Sequence, residues 1–441
     1  MTAGGIQIMY RNRILSLALI AFAPAVAGAD LAETLEAQAL SAEPQVIEWR
    51  RHFHEHPELS NREFRTAEKV AGELRAMGLE VETGIAHTGV VAYLEGGRPG
   101  PLVALRADMD ALPVTERVDL PFASKATGTY RGREVDVMHA CGHDTHMAML
   151  LGAARALTAV RDELPGSVMF IFQPAEEGAP EGEEGGAELM LKEGIFDERM
   201  PEAVFGLHVS SLLPTGMVGY RAGPAMASAD RFEIVVRGRQ THGSRPWGGV
   251  DPIVVASQIV MAAQSIVSRQ VDITAAPAVL SFGVIEGGIR NNIIPDEVTL
   301  IGTIRNFDMD IRESIHEKLR RTARLTAESF GASAETTIDL GYPVTVNDPQ
   351  LTENMLDTVV WAAGEGRVIE SPLITGAEDF SYYAQRTPGL FLFLGVTPPD
   401  QDPMTAPSNH SPLFYVDESA LVTGVKLLTG LTLDFMRSQK M

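Results

Sequence analysis

Apolar residues along this chain fall into short unbroken runs separated by longer stretches with helical spacing. That is the alternation from which wound α/β sheets are built. The runs at 90–94, 101–105, 166–172, 203–207 and 390–394 read as strands, and their continuity predicts a largely parallel sheet covered on both faces. Residues 31–82 read as helices. Leu35, Leu40, Val46, Ile47 and Trp49 give one broad apolar face, and a second helix over 66–77 ends at Gly78. Met147, Leu150, Leu151, Ala154 and Leu157 mark a further helix face directly after a histidine-rich segment.

From about residue 226 the pattern changes. A strand at 231–236, a helix at 251–269, strands at 278–285 and 297–304, a helix at 311–330 and a strand at 335–340 follow one another. This β-α-β-β-α-β order is that of a ferredoxin-like sandwich. The signals of the first domain resume after Tyr342. The expected fold is therefore α/β. A mostly parallel mixed sheet covered by helices spans 30–225 and 342–441, and an inserted ferredoxin-like α+β unit over 226–341 serves as lid or dimerisation domain.

The N-terminus stands apart. Arg11 and Arg13 precede an apolar run from Ile14 to Val26, and Ala27-Gly28-Ala29 offers small residues where a signal peptidase cuts. Residues 1–29 read as a signal peptide, with Met9 as an alternative start. The run is shorter than a membrane span and broken by Pro24, so no stable membrane anchor is expected. The expected location is periplasmic or secreted. With 45% hydrophobic and 21% charged residues the remainder is an ordinary globular chain. A net charge of −22 argues against nucleic acid and anionic membranes as partners.

The single cysteine, Cys141, lies among His139, His143, Asp144 and His146 on a turn before a helix, whose start favours a thiolate. A lone cysteine is also a common small core residue. In an exported chain with no disulfide partner, metal ligation gives the thiol a reason to persist. Glu176 and Glu177 are adjacent carboxylates after a buried strand. One can bind a metal while its neighbour moves a proton. Asp108, Asp110, Glu176, Glu177, His208 and His410 each read as lying past the C-terminal end of a strand, the edge where open α/β sheets bind ligands. His52, His54 and His56 alternate before Pro57, which does not align them on one helix face, so packing and surface roles are expected of them.

Seven segments carry a resemblance: RADMDALPV (106–114), MHACGHDTHMAMLLGAA (138–154), FQPAEEG (172–178), GLHV (206–209), THGSRP (241–246), NNIIPDEVTLIGTIR (291–305) and EDF (378–380). Together they resemble the hippurate hydrolase branch of the aminoacylase/carboxypeptidase family, which includes plant indole-acetyl-amino-acid hydrolases and bacterial amidohydrolases. The resemblance runs from about residue 40 to the C-terminus. It implies a zinc-exopeptidase-like catalytic domain and two divalent metal ions held by Cys141, His143, Glu177, His208 and His410. Zn²⁺ suits these donors best, and Mn²⁺, Co²⁺ or Ni²⁺ also fit. By matching position, Glu176 is the general base and Asp110 orients a ligand. His242, Asn292 and Arg305 hold the scissile carbonyl and the substrate carboxylate, with the histidine acting across a homodimer. Asp108 stands where sister branches carry a metal-binding histidine. Trp247 departs from the branch's usual Pro-His and either lines the pocket or packs. The implied activity is hydrolysis of N-acyl amino acids. A carboxypeptidase or dipeptidase, and a catalytically silent ligand-binding homologue, are the rival readings.

Overall fold

The computed structural model describes residues 1–2 and 30–439. The apolar run read as a signal peptide lies outside these residues. From Asp30 the chain enters α1 (Leu31–Glu55) and α2 (Phe64–Ala76), then strands β1 (Glu80–Ile85), β2 (Gly89–Glu95) and β3 (Arg98–Asp108). Helix α3 (His143–Ala159) precedes β4 (Pro165–Gln173), β5 (Ala203–Pro214) and β6 (Val218–Tyr220). A second unit follows as β7 (Ser228–Arg237), α4 (Pro252–Gln270), β8 (Ala278–Glu286), β9 (Glu297–Asn306), α5 (Met309–Ser329) and β10 (Ser333–Leu340). The chain then returns through β11 (Val368–Glu370), β12 (Gly389–Thr397) and α6 (Leu421–Ser438).

The main sheet has eight strands in the order β1-β2-β4-β3-β5-β12-β6-β11. Its centre, β4-β3-β5-β12, is parallel, and antiparallel pairs flank it on both sides. Side chains alternate across it. Val168, Phe170 and Phe172 of β4 join the core under α1, α3 and α6, while Met169 and Ile171 face the smaller core on the opposite side. Leu390, Leu392 and Leu394 of β12 divide from Phe391 and Phe393 in the same way. Both faces are buried, so the strands read in sequence as unbroken apolar runs.

Two expectations need correction. Residues 80–82 are not helical, because β1 begins at Glu80 and pairs antiparallel with β2. His208 does not lie past the end of its strand. β5 continues to Pro214 because β12 pairs with it in parallel register, with Phe393 opposite His208. The histidine therefore projects from mid-strand.

The second unit forms a four-stranded antiparallel sheet in the order β8-β9-β7-β10. Phe232, Ile234 and Val236 of β7 pack against Val255, Ile259 and Ile266 of α4 and Ile315 and Leu319 of α5. Only that face is covered, so these strands alternate where those of the main sheet do not. One charged group is buried at its root. Asp230, at 3% exposure, accepts hydrogen bonds from Arg312 Nε at 2.9 Å, His316 Nε2 at 2.7 Å and the Gly341 N–H at 3.2 Å. Burial disfavours the charged carboxylate, but Arg312 and His316 outweigh it and hold the pKa down to about 2.

Asp230→Ala would leave Arg312 buried without its partner. We expect denaturant unfolding to report a loss of about 3–5 kcal/mol. Asp339→Ala, which removes only an exposed pair with Arg231, should cost within about 1 kcal/mol. The folded pKa of Asp230 lies below its unfolded value. Its contribution is thus present above roughly pH 4 and fades as pH falls through about 2. Stability that depends no more steeply on pH in the wild type than in the Ala variant over this window would contradict that assignment.

Candidate active site

The polar residues converge at the C-terminal edge of the main sheet, in a cleft of about 520 Å³ that reaches to the second unit. Gly142 makes the turn between Cys141 and His143 with φ of 101°. A Cβ there would come within 2.3 Å of Val209 Cγ2, so the position takes only glycine. The turn leaves Cys141 before α3 and His143 as its first residue.

Cys141 Sγ lies 3.3 Å from His208 Nε2 and 3.2 Å from His410 Nε2. His208 donates from Nδ1 to the Val209 carbonyl at 2.7 Å, which leaves the Nε2 lone pair aimed at the sulfur. His410 adopts a left-handed φ of 71° and its N–H bonds the Ala140 carbonyl at 2.7 Å. Asn409 fastens the same loop by donating to the carbonyls of Cys141 and Val209 at 2.9 and 3.1 Å. His410 Nε2 also sits 3.0 Å from Glu177 Oε1, though not aligned as a hydrogen bond.

His143 is fully buried, and neither ring nitrogen completes a hydrogen bond. Its Nδ1 lies 3.3 Å from Asp110 Oδ1 and its Nε2 3.9 Å from Glu176 Oε2. Asp110 spreads its carboxylate widely. Oδ1 accepts from the Glu176 N–H at 3.0 Å, and Oδ2 accepts from the Glu177 N–H at 3.1 Å and the Ser60 hydroxyl at 2.7 Å. The Tyr342 hydroxyl donates to the Glu176 carbonyl. Ala175, just before the acid pair, has a left-handed φ of 53°, a conformation that costs an L residue roughly 1–2 kcal/mol.

The structure gives Asp108 a place. Its Oδ1 accepts from His146 Nδ1 at 2.6 Å and its Oδ2 from Arg106 at 2.8 Å. His146 Nε2 accepts from the Val209 N–H at 2.9 Å. With both ring nitrogens engaged, His146 is a brace rather than a free ligand. Arg106 is buried too, and it also bonds Gln173, Asp379 and Glu378 at 2.9, 2.7 and 3.0 Å.

The donor set fits cations. Cys141, His143 and His208 form one group of converging ligand atoms, and Cys141, Glu177 and His410 form another that shares the sulfur. The carboxylates of Asp108, Asp110, Glu176, Glu177, Glu378 and Asp379 crowd together, and the buried Arg106 guanidinium meets three of them. Burial and the neighbouring carboxylates Glu378 and Glu177 push the Glu176 pKa well above its ordinary value. Burial opposes charge on His143 as well, yet Asp108 and Asp110 raise its pKa to about 10. Burial, Glu177 and Glu176 raise the Cys141 thiol. A site this rich in negative charge calls for positive charge from outside the chain, and bound cations reverse the balance for thiol and imidazole alike.

Of the residues singled out from sequence, Cys141, Glu176, Glu177, His208, His410 and Arg305 line the cleft. His143 and Asp110 lie buried directly against it. His242 and Asn292 are not among its lining residues. They sit on adjoining loops of the second unit, where Thr241–His242 pairs with Ile293–Ile294 and His242 is exposed. Trp247 is 77% exposed, so in the single chain it neither packs nor lines the cleft. His54 is buried against Asp144 at 2.9 Å and Glu116 at 3.0 Å, whereas His52 and His56 are exposed. Sequence reasoning gave no role to Tyr342, Asn409, Met226, Ile374, Phe393 or Glu378. Only Asn409, beside His410, and Glu378, in the EDF segment, carried any local signal.

The model of peptidase family M20/M25/M40 matches residues 104–434. The chain is 41% identical to thermostable carboxypeptidase 2 of Saccharolobus solfataricus, over 92% of this chain and 99% of that one. It is 39% identical to the N-acetyl-L-cysteine deacetylase of Bacillus subtilis, over 86% and 85%. The crystal structure of the Bacillus subtilis YXEP protein, a dinuclear metal binding peptidase, superposes with a TM-score of 0.75 at 35% identity, covering 90% of this chain and 99% of that one. The chain belongs to peptidase family M20/M25/M40, within its branch of metal-dependent amidohydrolases.

Proposed function

We propose that the chain is an exported amidohydrolase that cleaves N-acyl amino acids and acts as a homodimer, with 1–29 as its leader and 226–341 as its lid. The observation that carries the substrate class is the composition of the cleft. Beside the acid–histidine cluster it presents an apolar wall of Leu212, Met226, Ile374 and Phe393, and among the described residues Arg305 is the one lysine or arginine lining it. A substrate with an apolar acyl group and a single carboxylate matches that wall and that cation. The names of relatives support two related readings: N-acetylcysteine deacetylation and carboxypeptidase action both leave a free carboxylate on the departing amino acid. Screening acetyl, benzoyl and indole-acetyl amino acids beside free dipeptides decides between them. Faster turnover of dipeptides than of every acyl amino acid would favour the carboxypeptidase reading.

Cys141, His143, Glu177, His208 and His410 would hold the cations. When bound, two divalent ions lower the pKa of water and polarise the amide oxygen. Glu176, buried among carboxylates, takes the proton of the attacking water and passes it to the leaving amine. Asp110 keeps Glu176 and Glu177 in register through their own backbone N–H groups. His242 accepts the Ser244 N–H at Nδ1, 3.0 Å, which leaves Nε2 to carry a proton and offer a donor. That donor lies outside the cleft of its own chain, which favours delivery to a second subunit. The edge strand β8, with Val284 and Ile285 exposed, and the α4 residues Ile253, Val254 and Met261 offer an apolar face for the two-fold contact.

Three outcomes are expected. Glu176→Gln should retain its metal by elemental analysis while kcat falls by about 10²–10⁴. Near-normal kcat in the metal-replete variant would remove Glu176 from the role. A thiol reagent should label Cys141 in chelator-treated protein and spare it in metal-loaded protein. Equal labelling would mark it as a plain core residue. Mixed dimers of Glu176→Ala and His242→Ala subunits should regain activity that neither parent shows, because an intact Glu176 then meets the partner's intact His242. The expected gain is roughly 10²–10³, the worth of an oxyanion donor. Verified mixed dimers that stay inactive would place His242 elsewhere.

A further inference from the structure

Glu63 is a carboxylate that the reaction as described does not use, and its surroundings are unusual for its position. It directly precedes α2, where an acidic side chain would ordinarily turn back to the first amides of the helix. It makes no such cap. The side chain turns inward instead and is fully buried. Its Oε1 accepts the Ala175 N–H at 3.0 Å, and its Oε2 accepts the Thr88 hydroxyl at 2.6 Å. None of Glu63, Thr88 and Ala175 lines the cleft.

We propose that Glu63 is a positioning residue for the hydrolytic reaction, holding Ala175 in its left-handed turn and so setting the direction of Glu176. Three consecutive backbone N–H groups, those of Ala175, Glu176 and Glu177, are held by two buried carboxylates, Glu63 for the first and Asp110 for the other two. Ala175 carries a φ of 53° without being glycine, and such a conformation lasts only where the surroundings impose it. Asn61 strengthens the same clamp by donating to the Glu184 carbonyl at 3.0 Å, farther along the loop that carries the acid pair. Released from Glu63, Ala175 relaxes toward an ordinary φ, and that rotation swings the next side chain. Asp110 still grips the amides of Glu176 and Glu177, so the ligand side of the turn keeps its anchor. The effect falls on Glu176.

This inference rests on Glu176 as the general base, so the test carries Glu176→Gln in parallel. Full-length, metal-loaded Glu63→Ala, Glu63→Gln and Thr88→Val are compared for kcat and KM on acetyl- and benzoyl-amino acids, for metal per chain and for melting temperature. Glu63→Ala should lower kcat roughly 10–100-fold with KM and metal content little changed. Glu63→Gln should recover most of that loss, because its amide oxygen still accepts from Ala175 and its amide nitrogen donates to the Thr88 hydroxyl. Thr88→Val frees Oε2 and leaves the carboxylate in place, so a smaller fall in kcat is expected. It decides the matter if Glu63→Ala does not fold, and an unchanged kcat in folded Thr88→Val would then overturn the proposal. A lower melting temperature with unchanged kcat in Glu63→Ala would make Glu63 a staple of α2 only and overturn it. So would a kcat loss that follows lost metal and is reversed by excess metal. A dead Glu176→Gln beside a fully active Glu63→Ala overturns the positioning role alone, whereas an active Glu176→Gln overturns the general base and this role with it.

Discussion

The Asp110 carboxylate is the constraint on which the site depends. One group meets two consecutive amides of the acid turn, the Ser60 hydroxyl and the edge of the His143 ring. It thereby joins the segment after α1, the end of β3, the start of α3 and the loop after β4. Each arrives from a different part of the chain. A carboxylate with several donors is stable when charged, and each donor is fixed in return. Glu176 and Glu177 point as they do because their backbone is held, and their side chains stay free for chemistry.

Around that anchor lies a surplus of negative charge. Arg106 meets Asp108, Glu378 and Asp379 and leaves the cluster acidic. Carboxylates packed out of water resist ionisation together, which pushes Glu176 upward while Asp108, facing His143, His146 and Arg106, is held low. Divergent environments for neighbouring acids separate a proton carrier from a fixed charge. The same surplus would draw cations to the cysteine–histidine cluster, so that in the proposed reaction metal binding and proton transfer would share one electrostatic arrangement. The backbone contributes as well. His410 and Ala175 are both held in left-handed conformations beside the chemistry, a form of stored strain that packing maintains.

The chain by itself determined a good deal. Unbroken apolar runs declared the central strands, and the β-α-β-β-α-β order of elements declared the second unit, because continuous burial and element order both show in local pattern. The apolar face from Met147 to Leu157 marked α3 just after the Cys-x-His pair, and the apolar run at 166–172 marked the strand that the adjacent acids follow. These features are local, so they are written in neighbouring residues. Only the tertiary structure decided the rest. Parallel pairing with β12 extended β5 past His208, which no local pattern announces. His146 had no assigned role in sequence, and only packing shows it as a brace, with Asp108 and the Val209 amide taking both of its nitrogens. Tyr342, Met226, Ile374 and Phe393 reach the cleft from separate segments and look like ordinary core or loop residues in sequence. His242 is the reverse case. It stands in a strong motif, yet its own chain leaves it exposed and away from the cleft. A motif fixes which atoms are present, and packing fixes which of them meet.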